Sequence, residues 1–454
     1  MRIVPDIPLT LKDISTALNS KEKYGDIFIN AFTTDSRLAV KGDVFIAVDG
    51  EHESGEKYVE DAKNKGAYVI SAKYEGSDFP VKSTKDAILD LIKYYRSKFD
   101  LRELIAISGS VGKTTAKNIL CDMLKTKYRV HKTYENFNNY LGVFHTVMSM
   151  PRDTEIAIFE LGMNHTGEIS ELSLSLSPTL SVITNVGVAH IGNLGSRENI
   201  AKAKLEILDG MKKKRYIAPF EEELLASSET RITVSCEDKG ADCYIRSVEH
   251  SKAGTNVSIK TKRFDIPSVN IPLPGEHILF PVGCGALIFD HLGHNEKELV
   301  LAIERIKESS VRAGFKRIGA LTFYDDTYNS SPEALYAVFK LLRENSDKKI
   351  SCVLGDMLEL GEKSEDLHKE VGRRVAKLRF DKLFTFGPLA ESIALGATRS
   401  GMDKNSIFKN PDLTRPEKTA KQIRLLCRDD EIILCKASHA VEMGRILDWL
   451  EENK

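Results

Sequence analysis

The hydrophobic positions change period along the chain and divide it into three blocks. Up to residue 98 the apolar runs are short. DIFINAF (26–32), DVFIAV (43–48) and AYVIS (67–71) read as strands, with one helical pattern from Tyr58 to Lys65. That is the pattern of a small α+β domain. The second block, 99–308, opens with an unbroken apolar strand, ELIAISGS (103–110), and a helical run, TTAKNILCDMLKTK (114–127). Strands recur at EIAIFEL (155–161) and TLSVITNV (179–186). Continuous apolar strands alternating with helices imply a parallel sheet covered on both faces. From 309 to 454 the alternation restarts: ALTFYD (320–325) is a strand, PEALYAVFKLLREN (332–345) a helix with Pro in its first turn, and KISCVLGD (349–356) a strand. SEDLHKEVGRRVAKL (364–378) then reads as a helix, DKLFTF (381–386) and DEIILCK (430–436) as strands, and HAVEMGRILDWLEE (439–452) as the closing helix. The expected fold class is α/β in three domains: a small α+β domain, a central parallel-sheet domain and a Rossmann-like domain, joined by short connections with clefts between them.

Composition narrows the classes. A chain of 454 residues is too long for one ordinary domain, and 42% hydrophobic with 29% charged residues supports packed cores. Lys and Arg total 65 against 66 Asp and Glu, so no bulk field favours nucleic acid or an anionic membrane. The run Lys212-Lys213-Lys214-Arg215 is local and reads as a solvated helix end. No apolar run reaches the ~18–20 residues of a spanning helix, and MRIVPDIPLTLKDIS is not a secretory signal. The 7 cysteines are scattered without a CxxC pair, which fits reduced thiols in a cytoplasm and gives no zinc site.

Candidate chemistry begins at Gly109-Ser110-Val111-Gly112-Lys113-Thr114-Thr115, between a strand and a helix. Glycines let backbone N–H groups approach phosphate oxygens, and the helix N-terminus adds partial positive charge. Lys113 is placed to reach β/γ-phosphates, and the Thr114 hydroxyl to face Mg²⁺. The usual GxxxxGK[ST] loop is shortened here, with Ile107 at the first glycine position. Such a loop says nucleotide; it leaves switching, motion, kinase chemistry and ligation open.

Three further residues bear on that choice. Glu160 ends the strand EIAIFE, at the edge where ligands sit in open α/β sheets. Alone it reads as a cap or ion-pair partner; beside a phosphate loop it becomes a Mg²⁺ ligand candidate. His190 closes the turn NVGVAH on the same edge, where a lone histidine is usually structural. Lys204 lies in SRENIAKAKLEILDGM (196–211). At about 100° per residue from Ile200, Lys204 falls near ~40°, inside a stripe made with Ile207, Leu208 and Met211, while Lys202 falls on the opposite face. A lysine there either snorkels to solvent or carries a neutral amine able to react with CO₂, giving a carbamate that offers oxygen donors to a divalent cation.

In order and spacing these residues resemble the Mur ligase family. GSVGKTT is followed by Thr133, Asn136, Asn138, Asn139 and Gly142 in a TxxNxNNxxG pattern, then ELG at 160–162, NVGVAH at 185–190 and AKAKLEI at 201–207. The resemblance covers essentially the whole chain. TTDSR (33–37) with KGDVFIAVDGE (41–51) is similar to the uridine-diphosphate-sugar-binding domain of the two later ligases, so the N-terminal block is expected to take that nucleotide sugar. The Asp-Asn-Pro-Arg motif of the diaminopimelate- or lysine-adding member is absent, and LGDMLELGEKSEDLH (354–368) looks like the final member. What the resemblance implies is ATP-dependent joining of D-alanyl-D-alanine to UDP-N-acetylmuramoyl-tripeptide through an acyl phosphate. It implies a cytoplasmic monomer that uses Mg²⁺, two ions in all, with a possible carbamate on Lys204. The loop 109–115 would bind ATP phosphates. Thr114 and Glu160 would hold one Mg²⁺, His190 and carbamylated Lys204 a second. Asn138 and Asn139 would lie near the acyl-phosphate site, and Ser36 and Arg37 on the uridine diphosphate. Asp326, Tyr328 and Asn329 of DDTYNSSP would face the nucleotide, and Lys436 and Ser438 match a KxS segment of the third domain, expected to bind the incoming dipeptide.

The sequence also departs from the family pattern. Pro281 stands where an adenine-facing Asn is usual, Phe144 where a Pro is usual, Phe315 where an Arg is usual (with Arg312 and Arg317 nearby), and Lys436-Ala437-Ser438-His439 where KGSR is usual. The competing expectations are another ligase of the superfamily, such as the diaminopimelate-adding enzyme or a folylpolyglutamate synthase, and a nucleotide-dependent switch or binding protein.

Overall fold

A strand that is apolar at every second and every intervening position can only sit inside a sheet covered on both sides. Glu103–Ser108 does so, running parallel between Ile156–Glu160 and Leu180–Ile183 with every residue buried. The computed structural model describes the chain except residues 22–23, 51–52, 227–229, 252–253, 311–312, 345, 347 and 454. Arg312 and Asn345, the expected end of the helix after Pro332, therefore lie outside the described residues.

Among the described residues the strands form sheets of 5, 9 and 6 strands. The N-terminal sheet runs in chain order, Arg2–Ile3, Phe32–Thr33, Val44–Ile46, Tyr68–Ser71 and Phe79–Pro80, antiparallel only at its first pair. In the central sheet Val130–Lys132 is one edge; Ile156–Glu160, Glu103–Ser108, Leu180–Ile183, Tyr216–Pro219, Arg231–Ser235 and Cys243–Ser251 follow in parallel. Antiparallel Gly254–Lys260 and Asp265–Ile271 complete it. In the C-terminal sheet the last strand, Glu431–Lys436, is inserted between Leu321–Asp325 and Lys349–Gly355, and Lys382–Phe386 and Ile407–Asn410 extend the parallel set. Among the described residues no helix is long and apolar enough to cross a membrane.

Two expected elements differ. Within DIFINAF only Phe32 joins a strand, because Ile27 and Ile29 bond through their backbones to Leu11 and Leu9 instead, leaving Ile27 and Phe28 exposed. The closing helix starts at Gly444, since His439–Val441 is a tight turn and Glu442 has φ +51°.

The first two sheets share one core. The helix Thr84–Arg96 packs its Leu91, Ile92 and Tyr95 with Val143, Phe144 and Val147 of the helix Tyr140–Met148. Phe32 meets Phe144 edge-to-face at 5.4 Å between centroids. The C-terminal sheet has its own cores on its two faces. Its connection to the centre is tethered to the helix Lys113–Leu124: Asp122 accepts from the Lys307 N–H (3.0 Å) and the Ser310 hydroxyl, and Asn118 Nδ2 donates to Ser310 O (3.2 Å).

Phe144→Ala should lower stability by about 3–5 kcal/mol through the lost core contact and the cavity left behind. Denaturant unfolding would read this as a lower midpoint of the transition that includes the N-terminal sheet.

Candidate active site

The carboxyl ends of the central and C-terminal sheets face one another across a cleft of about 520 Å³. One wall carries residues 110–115, Asn136, Asn138, Glu160 and His190; the other carries Asp326, Tyr328, Asn329, Glu359, Lys436, Ser438 and His439. A second cleft of about 400 Å³ lies between the N-terminal and central sheets, lined by Thr33 and Thr34 on one side and residues 136–139 on the other. Asn136 and Asn138 line both clefts.

The phosphate loop takes its shape from close packing. Gly109 has φ +147°, and a Cβ there would meet Thr184 Oγ1 at 1.8 Å, so only glycine fits. Thr184 Oγ1 donates to Val111 O (2.6 Å). The Asn185 carboxamide oxygen accepts from the Ser110 and Val111 N–H groups, both at 3.0 Å. Lys113 Nζ folds back to donate to Gly109 O at 2.7 Å.

Glu160 is 2% exposed. Its oxygens accept from Thr114 Oγ1 (2.8 Å) and Asn138 Nδ2 (3.0 Å), and Lys117 Nζ lies at 3.2 Å. Lys117 is itself 1% exposed and also donates to the Glu135 carbonyl. Burial pushes the Glu160 carboxyl up, but Lys117, Lys113 and the two hydrogen bonds more than offset it, so the group is held below its ordinary value. The donors near it, a carboxylate and a hydroxyl, are hard oxygens of the kind Mg²⁺ takes alongside phosphate oxygens. Among the described residues no group of three or more His, Cys, Asp or Glu side chains converges as a metal cluster.

Lys204 is buried in the helix Arg197–Leu205, with Ile200, Ile207, Leu208 and Met211 also buried and Lys202 exposed. It does not line the cleft. Burial, and then the positive charge of Lys113, drive its amine well below the ordinary lysine range, which favours the neutral form. His190 has φ +64°, and its Nδ1 lies 2.6 Å from Glu359 Oε2.

Asn139 caps the helix Tyr140–Met148 by accepting from the Gly142 N–H at 2.9 Å. Asp326 pairs with Lys436 at 2.7 Å; burial still raises its carboxyl above the ordinary value. Lys436 Nζ also donates to Asn329 O (2.6 Å), Ser438 Oγ accepts from the Leu358 N–H (2.8 Å), and Tyr328 packs edge-to-face on His439 at 5.2 Å. His277 lines the cleft, and burial lowers it to about 4, so it is neutral there. Pro281 is buried in the helix Leu279–His291, and Phe315 and Arg317 are exposed outside the cleft. Ser36 and Arg37 line neither cleft: Ser36 is buried and Arg37 is exposed, paired with Asp35 at 2.7 Å. From the same TTDSR segment it is Thr33 and Thr34 that reach the smaller cleft.

Residues 107–280 match the Mur ligase middle domain, and residues 312–439 the Mur ligase glutamate ligase domain. The chain is 32% identical to the UDP-N-acetylmuramoyl-tripeptide–D-alanyl-D-alanine ligase of Bacillus subtilis, over 98% of this chain and 99% of that protein. The chain belongs to the Mur ligase family. Among solved Mur ligases, MurF from Acinetobacter baumannii superposes with a TM-score of 0.87 at 26% identity, covering 99% of this chain and 100% of that one. MurF ligase from Thermotoga maritima, solved in complex with ADP, gives 0.81 at 28% identity, covering 93% and 97%.

Sequence reasoning missed Lys117, Asn185 and Glu359. Lys117 carried a signal, since it follows Lys113 by one helical turn and so shares its face. Asn185 sits inside a motif already singled out, and Glu359 inside another. Their partners lie on other segments, which no local pattern identifies.

Glu160→Gln would keep the shape but leave Lys117 charged and buried, and should cost about 3–5 kcal/mol in urea unfolding. Adding Lys117→Met should recover most of that loss. Because pairing depresses the Glu160 pKa, its stabilisation is present at neutral pH and is lost as pH falls through the folded-state value.

Proposed function

We infer that the chain is an ATP-dependent ligase that joins D-alanyl-D-alanine to UDP-N-acetylmuramoyl-tripeptide, giving the pentapeptide precursor of peptidoglycan. The observation that carries this reading is the end-to-end similarity to ligases of that name, with the phosphate loop facing a third domain across a cleft.

Joining a carboxylate to an amine is uphill in water. The C-terminal carboxylate of the tripeptide attacks the γ-phosphorus of ATP, ADP leaves, and an acyl phosphate forms. The dipeptide amine attacks the acyl carbon, sheds its proton, and the tetrahedral intermediate collapses with loss of phosphate. The protein supplies position and charge. The loop 109–115 holds the phosphates, with Asn185 occupying two of its N–H groups and leaving those at the helix start for phosphate oxygens. Lys113 swings from Gly109 O to the β/γ-phosphates. Thr114 and Glu160 would hold Mg²⁺, which when bound neutralises phosphate charge. Asp326 and Asn329 would face the nucleotide from the third domain, with Tyr328, Lys436 and Ser438 lining its substrate side.

The N-terminal domain takes the nucleotide-sugar end, with Ser36 and Arg37 on the diphosphate and Thr33 and Thr34 nearer the muramoyl peptide. The smaller cleft then leads the peptide past Asn139 to Asn138, on the wall it shares with the nucleotide cleft. Lys204, buried and with its amine pushed well below the ordinary lysine range, is suited to attack CO₂; the carbamate would form with release of a proton and, with His190, serve a second Mg²⁺. Closure over the site would keep water from the acyl phosphate.

Phosphate release should require ATP, Mg²⁺, UDP-N-acetylmuramoyl-tripeptide and D-alanyl-D-alanine together, with the pentapeptide seen by mass spectrometry. Release indifferent to either acceptor or donor would overturn the reading. Lys204→Ala should abolish ligation while the protein stays folded, and isotope-labelled bicarbonate should give a carbamate carbon signal in the parent chain that the variant lacks. Full turnover by the variant would exclude the carbamate.

A further inference from the structure

The segment LGDMLELGEKSEDLH carries Glu359, which lines the cleft, but its remaining residues have no part in the ligase steps. In the structure it forms a strap on the C-terminal domain, fastened at each of residues 356–358. Asp356 Oδ1 accepts from the Ala390 N–H (2.7 Å), the Met357 N–H donates to His368 Nε2 (3.0 Å), and the Leu358 N–H donates to Ser438 Oγ (2.8 Å). The next residues leave the domain and touch the turn 188–192 of the central domain. Glu359 O accepts from the Gly192 N–H at 3.1 Å, and Glu359 Oε2 lies 2.6 Å from His190 Nδ1.

The contact is backbone against backbone. A Cβ on Gly192 would meet Gly361 N at 2.7 Å, and one on Gly361 would meet Gly192 Cα at 2.7 Å. His190 and Glu359, facing each other, both hold left-handed φ, +64° and +65°. Non-glycine residues adopt that conformation at a cost and keep it where their surroundings fix it. Here each strained turn is braced by the other domain. Beside them the Val188 N–H donates to Glu333 Oε1 at 2.8 Å, again across the boundary.

We propose that this strap is the latch that docks the C-terminal domain on the central domain, and that Glu359 is a positioning residue that orients His190 only when the two are docked. Assembly of the His190 side of the site then depends on the third domain being in place. This rests on the ligase reading for its kinetic consequences, but not for the contact itself.

Gly192→Ala is the cleanest test. Gly192 is exposed and its φ is not left-handed, so the central domain accommodates alanine on its own; only the strap opposes it, through Gly361 and the Glu359 carbonyl oxygen. The variant should melt like the parent, since the added methyl meets nothing within the central domain itself. Small-angle scattering of the full chain should show a larger radius of gyration than the parent. Its kcat for ligation should fall by about 10–100-fold, the range for loss of a group that orients a ligand residue. Glu359→Ala, with a side chain half exposed, should give a similar kcat loss, Glu359→Gln a smaller one, and the double variant Gly192→Ala/Glu359→Ala no more than the larger single loss. A parental radius for Gly192→Ala, or losses that multiply in the double variant, would overturn the latch. If the parent chain itself fails to ligate, the ligase reading falls, while the scattering comparison still decides the latch.

Discussion

A carboxylate withdrawn from water has to be compensated on every side, and the buried charge of Glu160 is the constraint around which the central domain is arranged. Its partners come from separate segments: Thr114 and Lys117 from the helix after the phosphate loop, Asn138 from the asparagine-rich loop. Moving any of them exposes an uncompensated charge. The strand end, the helix and the loop are thereby held in one register. Lys117 extends the arrangement by bonding the Glu135 carbonyl, so the loop that separates the two clefts is anchored to the same charge. A wall only one loop thick can stay in place because ionic and hydrogen-bond partners, more than apolar packing, hold it.

That wall gives the geometry its chemical sense. An acyl phosphate is made where a carboxylate arriving from one side meets a phosphate held on the other, and Asn136 and Asn138 look into both spaces. The third domain adds its own buried pair, Asp326 with Lys436, which also holds the Asn329 carbonyl and so fixes the segment that lines the cleft. Both sheets present their carboxyl ends to the cleft, as open α/β sheets do. Two sheets meeting end to end make a site from loops, while the strands behind them stay rigid.

Much of this was legible in the chain. Unbroken apolar strands beside helical runs specify parallel sheets, and the phosphate loop reads directly because glycine, lysine and threonine have roles set by backbone chemistry. The helical stripe through Ile200 and Met211 placed Lys204 inside the protein, where it is found. What was not legible depends on local backbone geometry or on partners elsewhere in the chain. The run DIFINAF looks like a strand, but its backbone satisfies itself against residues 9–11. The closing helix has the right composition from His439, but the turn of His439–Val441 and a left-handed Glu442 delay it. Glu359 and Gly361 look like ordinary loop residues until the turn at Gly192 is set opposite them.

The shared core of the first two sheets has a consequence for how the protein is made. Phe32, Tyr95 and Phe99 are buried in a cluster that also contains Phe144, Val147 and Leu172. During synthesis, the segment through Phe99 emerges with that apolar surface uncovered, and no rearrangement within it can supply the missing side chains. It must wait until the helices Tyr140–Met148 and Glu168–Leu176 have left the ribosome. The buried residues of the two C-terminal cores all come from that domain, with only the partly buried Val188 of the central domain packed against one of them. A vectorially growing chain would therefore complete one two-sheet unit late and a second, smaller unit afterwards, with the interval before Leu176 its most aggregation-exposed stage.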